Sequence, residues 1–357
     1  MASKRRAIPG FYFVPGSLYH RAMAVEPIAV VGIGCRYPGA RTPLELWENV
    51  LSRRRQFRRF PDCRLPLADY HDPAPRAPDK TYATRASFID GFEFDWVGRR
   101  IPQRTFESTD VVHWLALDIA LAALADAGYT PETVPTERSA VLVGNSLTGE
   151  ESRAWIMRLR WPYVRRALRA SAAARGVPST VASELEDAME EVYKSPFPPV
   201  NEDTLAGVLS NTIPGRICNF LDFQGGGYTL DGACASGMIA VATAANALSH
   251  GELDFALAGA VDMSLDAIEL VGFAKVGALT RDDMTVYDRR GSGFLPGEGC
   301  GFVALKRLAD ARADGDSVYA VIRGWGISSD GRGGVTVAME LPVSVNYFAI
   351  NMRCGCG

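Results

Sequence analysis

A chain of 357 residues, 47% hydrophobic and 22% charged, has the composition of a globular protein able to bury a substantial core in one large or two ordinary domains. Lys and Arg number 38 against 41 Asp and Glu, and the net charge of -3 gives no whole-molecule drive toward nucleic acid or an anionic membrane. Seven cysteines lack any C-x-x-C pair and four histidines are scattered, which leaves no legible metal cluster and fits reduced thiols in a cytoplasmic protein.

The opening MASKRRAIPGFYFVPGSLYH places basic residues ahead of apolar ones, but Pro9, Gly10, Pro15 and Gly16 break any signal-peptide core. Residues 1–25 are expected to be a flexible N-terminal segment, with Met1 and Met23 both open as the true start. No run approaches the ~20 residues of a membrane span.

Ile28 to Ile33 is a short continuous apolar run, the pattern of a buried strand. Gly32 and Gly34 after it raise a dinucleotide loop, but Cys35-Arg36-Tyr37-Pro38 stands where the third glycine belongs, which speaks against it. Thr42-Pro43-Leu44-Glu45 is a capping box opening a helix through Trp47, Val50 and Leu51. Arg53, Arg54, Arg55, Arg58 and Arg59 follow, and are read first as a solvated face.

Residues 60–105, rich in Pro, Asp and Arg, read as an extended surface connection. A helix from about Asp110 to Ala127 is expected next, capped by Ser108 or Thr109 and stopped by Gly128. His113 within it reads as a packing histidine. Ala140 to Val143 is a second buried strand. Residues 150–193 carry two amphipathic segments, the first basic, with Trp155 and Trp161 interleaved among its arginines; one such stripe is weak evidence for nucleic-acid binding. Phe255–Ala260, Cys300–Leu305 and Tyr319–Gly324 read as further strands and Lys306–Arg312 as a short helix, an alternation that argues for an α/β layered fold.

The chain is organised around Gly227 to Asp262. An extended approach, Tyr228-Thr229-Leu230, runs into Asp231-Gly232-Ala233-Cys234-Ala235-Ser236-Gly237 and then into a helical period closed by Gly251. Cys234 is therefore expected where a strand turns into a helix. Free N–H groups and the helix dipole stabilise a thiolate there, and small neighbours admit a substrate carbonyl. On spacing alone, a buried structural cysteine in a Gly/Ala seam is equally open.

Several blocks resemble the β-ketoacyl synthases of fatty-acid and polyketide assembly: PIAVVGIGCRYPGA, LWENVLSRRRQFRRFP, SNTIPGRICNFLDFQG, DGACASG, ALAGAVDMS, YDRRGSGFLPGEGCGFVALKRL and YAVIRGWGISSDG, in the family's order. TFESTDVVHWLALDIA, the WPYVRR insertion and DGACASG are most similar to the ketosynthase domain of enediyne-type iterative polyketide synthases. The resemblance implies a thiolase-like layered αβαβα fold, usually a homodimer, and Cys234 as the nucleophile accepting an acyl chain from the phosphopantetheine of an acyl carrier protein. Malonyl and acyl thioesters are the implied substrates, joined by decarboxylative Claisen condensation, with no bound cofactor or metal. Glu298 corresponds to the family's acidic residue near the active-site network, a surface turn carboxylate being the plainer reading. Phe294 matches a residue near the pocket, and a core aromatic is equally open.

The family's two histidine blocks, H-G-T-G-T and K-x-x-x-G-H, do not occur in this sequence. The expected organisation is 26–308 as the ketosynthase N-terminal region, 309–334 as the start of the C-terminal half and 335–357 as a non-matching tail, so the second half is incomplete. On this reading the chain does not condense alone. A non-catalytic dimerisation or carrier-docking fragment, using Arg158, Arg165 and Arg166, is the alternative, and a nicotinamide oxidoreductase a distant third.

Overall fold

Apolar runs without alternation become central strands where both faces of a sheet are covered, and this chain builds its centre that way. A computed structural model describes residues 26–285 and 288–327 and the backbone of Met352–Arg353. The expected flexible segment 1–25 lies outside the described residues, as does the tail from 335 apart from that short strand.

The first elements are β1 (Ile28–Arg36), α1 (Pro43–Leu51), β2 (Arg58–Arg59), α2 (Leu67–Tyr70), β3 (Arg85–Ala86), α3 (Gln103–Glu107) and α4 (Val111–Asp126). Then come β4 (Ser139–Gly144), α5 (Glu150–Leu159), α6 (Trp161–Ala174), α7 (Ser179–Lys194), α8 (Thr204–Val208) and α9 (Thr212–Leu221). The rest are β5 (Gly227–Leu230), α10 (Ser236–Ser249), β6 (Phe255–Asp262), α11 (Ala267–Lys275), β7 (Gly299–Arg307), α12 (Leu308–Asp314), β8 (Ala320–Ile322) and β9 (Met352–Arg353).

Seven strands form one mixed sheet in the order β5-β4-β6-β7-β1-β8-β9, with β4 parallel to β5 and β6, and β7 antiparallel to both β6 and β1. Alternate residues feed two cores. Ala29, Val31, Val141 and Val143 pack with α4 and α9 on one face, and Ile28, Val30, Ala140 and Leu142 pack with α10 on the other. Because β4, β5 and β6 are parallel, Gly144, Leu230 and Ala260 align and three strands end at the same edge of the sheet. The loops that follow them meet there, the usual place for a site in such a sheet.

Gly32 and Gly34 are mid-strand residues, not a phosphate loop. A Cβ on Gly32 would sit 2.3 Å from the carbonyl oxygen of Ala123, so glycine is needed for β1 to approach the backbone of α4. That removes the only ground for a dinucleotide site.

Three expectations need correction. Residues 60–105 are more than a surface connection, because Phe60, Leu65, Leu67, Ala83, Ala86 and Phe88 build a third buried cluster with Leu270 and Leu279; apolar residues spaced irregularly between prolines give no period to detect. α4 is capped by Asp110, whose carboxylate accepts the Val112 N–H at 3.1 Å, rather than by Ser108 or Thr109. Residues 150–193 form three helices, since Arg160 ends α5 and Pro162 opens α6 at its second position.

Candidate functional site

β5 ends at Leu230 and α10 begins at Ser236, so Cys234 lies in the bend between them, one residue before the helix cap Ala235. The bend is held by its own polar atoms. Asp231 accepts the Ala233 N–H at 2.9 Å and the Ser146 hydroxyl at 2.6 Å, tying the bend to the loop after β4. The Ser236 hydroxyl accepts the Gly232 N–H at 2.9 Å and donates to the Ala233 carbonyl at 2.6 Å. Ala233 is left-handed at φ 53, a conformation that costs a non-glycine residue about 1 kcal/mol or more and is found where a side chain must be presented.

Cys234 is exposed, so the buried structural cysteine is excluded. Among the described residues no hydrogen bond is made by its backbone N–H, and the first turn of α10 has no side-chain cap. The Ala235 and Ser236 N–H groups donate to the Gly232 and Ala233 carbonyls at 3.2 and 3.0 Å, so the open donor nearest the sulfur is the N–H of Cys234 itself. Cys63 is also exposed, whereas the other three described thiols are covered. Burial pushes Cys35 and Cys218 each up to about 11, and Cys300, wholly enclosed, well above the usual thiol range.

Gly144 sets how close this bend comes to the sheet. A Cβ there would meet the Ser236 carbonyl carbon at 2.5 Å and the Gly237 nitrogen at 2.6 Å, so only glycine lets β4 touch the start of α10. Asn145, next in sequence, donates to the Val261 carbonyl at 2.9 Å and accepts from Thr148 N–H and Ser210. The sequence reading missed Gly144, Ser146 and Asn145. A glycine directly after an apolar strand was the available signal.

Glu298 is not a surface turn carboxylate. Its side chain is wholly buried, accepts the Ile89 N–H at 2.9 Å and pairs with Arg64, which also reaches Glu150 at 3.3 Å. Burial raises its pKa, with Arg64 opposing. It adjoins Gly299, the register partner of Asp262 at the end of β6, and so belongs to the same sheet edge as the Cys234 bend. Beyond Asp262, the Ser264 hydroxyl lies 2.5 Å from Asp262 and 2.7 Å from Glu269, and burial pushes Glu269 up to about 7. Phe294 is half-buried, meeting Phe273 edge-on at 5.2 Å beside the third core cluster. Its backbone partners, Ala278 and Thr280, also lie outside the Cys234 bend.

The described histidines are elsewhere. His113 is buried in α4, His250 ends α10 at the far end from Cys234, and His71 follows α2; His20 is outside the described residues. Trp155 and Trp161 are buried, so the basic stripe offers no exposed Trp for stacking bases. Arg158 is spent on the carbonyls of Lys194 and Phe197 at 2.8 and 2.6 Å. Among the described residues no helix is long and apolar enough to cross a membrane, and no His, Cys, Asp and Glu group could hold a metal ion.

The layered mixed sheet, with an exposed cysteine at a strand-to-helix bend, matches solved ketosynthases and so places the chain in the thiolase-like class. Residues 25–311 match the family model described as the N-terminal domain of beta-ketoacyl synthase, and the chain belongs to that family. It is 31% identical over 306 residues to a polyunsaturated fatty acid synthase polypeptide of Thraustochytrium, covering 85% of this chain and 11% of that protein. It is 30% identical over 312 residues to the polyketide synthase PksL of Bacillus subtilis, covering 86% of this chain and 6% of that one.

Among solved structures, the ketosynthase from module 6 of the bacillaene synthase of Bacillus subtilis matches with a TM-score of 0.65 at 29% identity, over 85% of this chain and 44% of that one. The PfaC keto synthase-chain length factor matches with a TM-score of 0.72 at 26% identity, over 87% of this chain and 32% of that one. The chain thus spans less than half of each solved structure it matches and at most about a fifth of the curated relatives.

Proposed function

We propose that this chain is the acyl-accepting part of a ketosynthase of polyketide or fatty-acid biosynthesis. Its Cys234 sulfur attacks the carbonyl of an acyl thioester borne on the phosphopantetheine of an acyl carrier protein. A new carbon–sulfur bond forms, the carrier sulfur leaves and takes up a proton, and the acyl group stays on Cys234. The observation that carries this reading is an exposed sulfur at an uncapped helix start, beside an N–H with no partner among the described residues. That N–H serves as one donor to the carbonyl oxygen as it becomes an oxyanion, worth about 3 kcal/mol in the transition state.

In this reading Glu298 is a positioning residue that fixes the Phe88–Ile89 segment against the sheet edge, and Phe294 lines an approach to the site. Residues 26–308 serve as the N-terminal region and 309–334 as the start of a second half. The condensation of a malonyl thioester draws on the family's two histidines, and His71, His113 and His250 do not stand at Cys234. The 357-residue chain is therefore assigned acylation without chain elongation. Outer strand β5, paired on one side to β4, supports a homodimer.

Incubation with an acyl thioester followed by intact and peptide mass spectrometry tests this. One acyl group on Cys234, none on Cys234→Ala and no elongated product are expected. Acylation spread over Cys63 and Cys234 alike, or elongation by the purified chain, rejects it.

A second reading, a docking fragment without chemistry, is favoured by exposed apolar side chains on α1, where Trp47 is 57% and Leu51 64% exposed. Of the arginines expected to serve such a surface, Arg165 and Arg166 remain after Arg158 is spent internally. Binding of an acyl carrier protein by Cys234→Ala, with no acylation of the parent chain, selects this reading.

A further inference from the structure

The Cys234 N–H meets an oxyanion only if the peptide that carries it is turned the right way. In a trans peptide the C=O and N–H point in opposite directions, and the bond between Ala233 and Cys234 is trans. Whatever holds the Ala233 carbonyl therefore aims the Cys234 N–H.

That carbonyl is held twice, and both donors belong to Ser236. The Ser236 hydroxyl donates to it at 2.6 Å and the Ser236 N–H at 3.0 Å, which occupies both lone pairs of the oxygen. The same hydroxyl accepts the Gly232 N–H at 2.9 Å. A hydroxyl joins a donor and an acceptor in one atom, so only serine or threonine closes both bonds from a side chain this short. The carbonyl is drawn toward the start of α10, and the N–H across the same peptide faces the other way, where no described residue accepts from it.

The peptide before is fixed independently. Asp231 accepts the Ala233 N–H at 2.9 Å, and the Ser146 hydroxyl holds the same carboxylate oxygen at 2.6 Å. Ala233 is thus clamped at its N–H and at its carbonyl in the left-handed conformation, φ 53, that an alanine leaves when nothing holds it. Ser236 itself is 5% exposed and is backed by Gly144, where a Cβ would come within 2.5 Å of its carbonyl carbon. A side chain locked by such packing is stiff enough to set a direction.

We infer that Ser236 is a positioning residue for acyl transfer, holding the Ala233–Cys234 peptide so that the Cys234 N–H points at the place where the oxyanion forms. The inference rests on the acyl-accepting reading of Cys234 and adds to it the requirement for one hydroxyl. Without that hydroxyl the Gly232 N–H loses its partner and the Ala233 carbonyl keeps a single donor. Ala233 then relaxes, and the Cys234 N–H swings off the line to the oxyanion. The sulfur stays exposed, so a reaction that builds no oxyanion is spared. Alkylation by iodoacetamide is one: the sulfur bonds to carbon, iodide leaves, and the amide oxygen keeps its charge.

The test compares the full chain with Ser236→Ala and Ser236→Thr, using the octanoyl thioester of N-acetylcysteamine and, separately, iodoacetamide, with adducts on Cys234 counted by mass spectrometry. Ser236→Ala should lower the limiting acylation rate at saturating thioester about tenfold, short of the 10²–10³ lost when a donor is removed outright. Its half-saturating concentration and alkylation rate should stay within about twofold of the parent's, and Ser236→Thr should recover the acylation rate to within about twofold. Thermal profiles like the parent's establish that each variant folds. A folded Ser236→Ala that acylates as the parent does, or loses acylation and alkylation equally, overturns the proposal, as does a folded Ser236→Thr as slow as Ser236→Ala. NMR of chains carrying cysteine labelled with heavy nitrogen decides the aim of the N–H separately. Rapid exchange of the Cys234 N–H with solvent in the parent, and a displaced Cys234 signal in Ser236→Ala, are expected; a protected amide or an unmoved signal overturns the proposal. Failure of the parent to take up any acyl group rejects the acyl-accepting reading instead.

Discussion

α4 and α10 cross one sheet from opposite sides, and both sequences are mostly apolar, yet their surroundings differ. In α4 every residue from Val112 to Leu117 is buried, His113 included. In α10 the sheet-facing Ala240, Ala244, Ala245 and Leu248 are buried, while Met238 is 39% exposed and Ile239 and Val241 are only half-covered. The helix that is apolar all round is ordinarily enclosed all round. α4 has that enclosure because α9 and the aromatic residues of 92–106 lie over it. Among the described residues nothing equivalent lies over α10, and the same holds for α1, whose Leu44, Trp47 and Leu51 face outward. The chemistry proposed for this chain sits on the less covered side, at the start of α10.

Substitutions on the two helices sharpen or break this contrast. Cys234→Ala is expected to abolish acylation outright with little change in melting temperature; a residual acyl adduct by mass spectrometry would break the link between bend and chemistry. On the enclosed side, Leu115→Ala should cost about 3 kcal/mol in chemical denaturation, because a fully buried leucine leaves a cavity. Gly144→Ala couples the sides, forcing a methyl into the start of α10. We expect about 2 kcal/mol of destabilisation together with slower acylation of Cys234, and an unchanged rate would mean the bend tolerates displacement.

His113 supplies a pH test of the enclosed side. Burial, reinforced by the charge of Arg216, lowers its pKa from 6.5 to about 3. Above pH 6.5 both folded and unfolded chains carry it neutral; below, the unfolded chain binds a proton that the folded chain refuses. Stability should therefore fall by about 1.4 kcal/mol for each pH unit from 6.5 down to about 3, and His113→Gln should remove that share of the slope. The smallest effect is expected on the open side, where Met238→Ala should cost less than about 1 kcal/mol. A loss as large as that of Leu115→Ala would show that α10 is covered in solution.

Alkylation separates the thiols along the same line. Iodoacetamide near neutral pH should modify Cys234 and exposed Cys63 and spare Cys35, Cys218 and Cys300, whose pKa values burial raises. Peptide mapping reads the outcome.

The amino-acid order by itself determined the central strands, the two long helices and the strand-to-helix bend that carries Cys234. Each is written in neighbouring residues, as an unbroken apolar run, a helical period or a cluster of small side chains, and needs no distant partner to be recognised. Tertiary structure alone decided that Arg64 meets Glu298 across 234 positions, that Gly144 presses on Ser236, that 60–88 builds a core, and which of two similar helices is enclosed. Those outcomes depend on which surfaces the folded sheet brings together, and contacts between remote residues leave no periodic trace in the order of either partner.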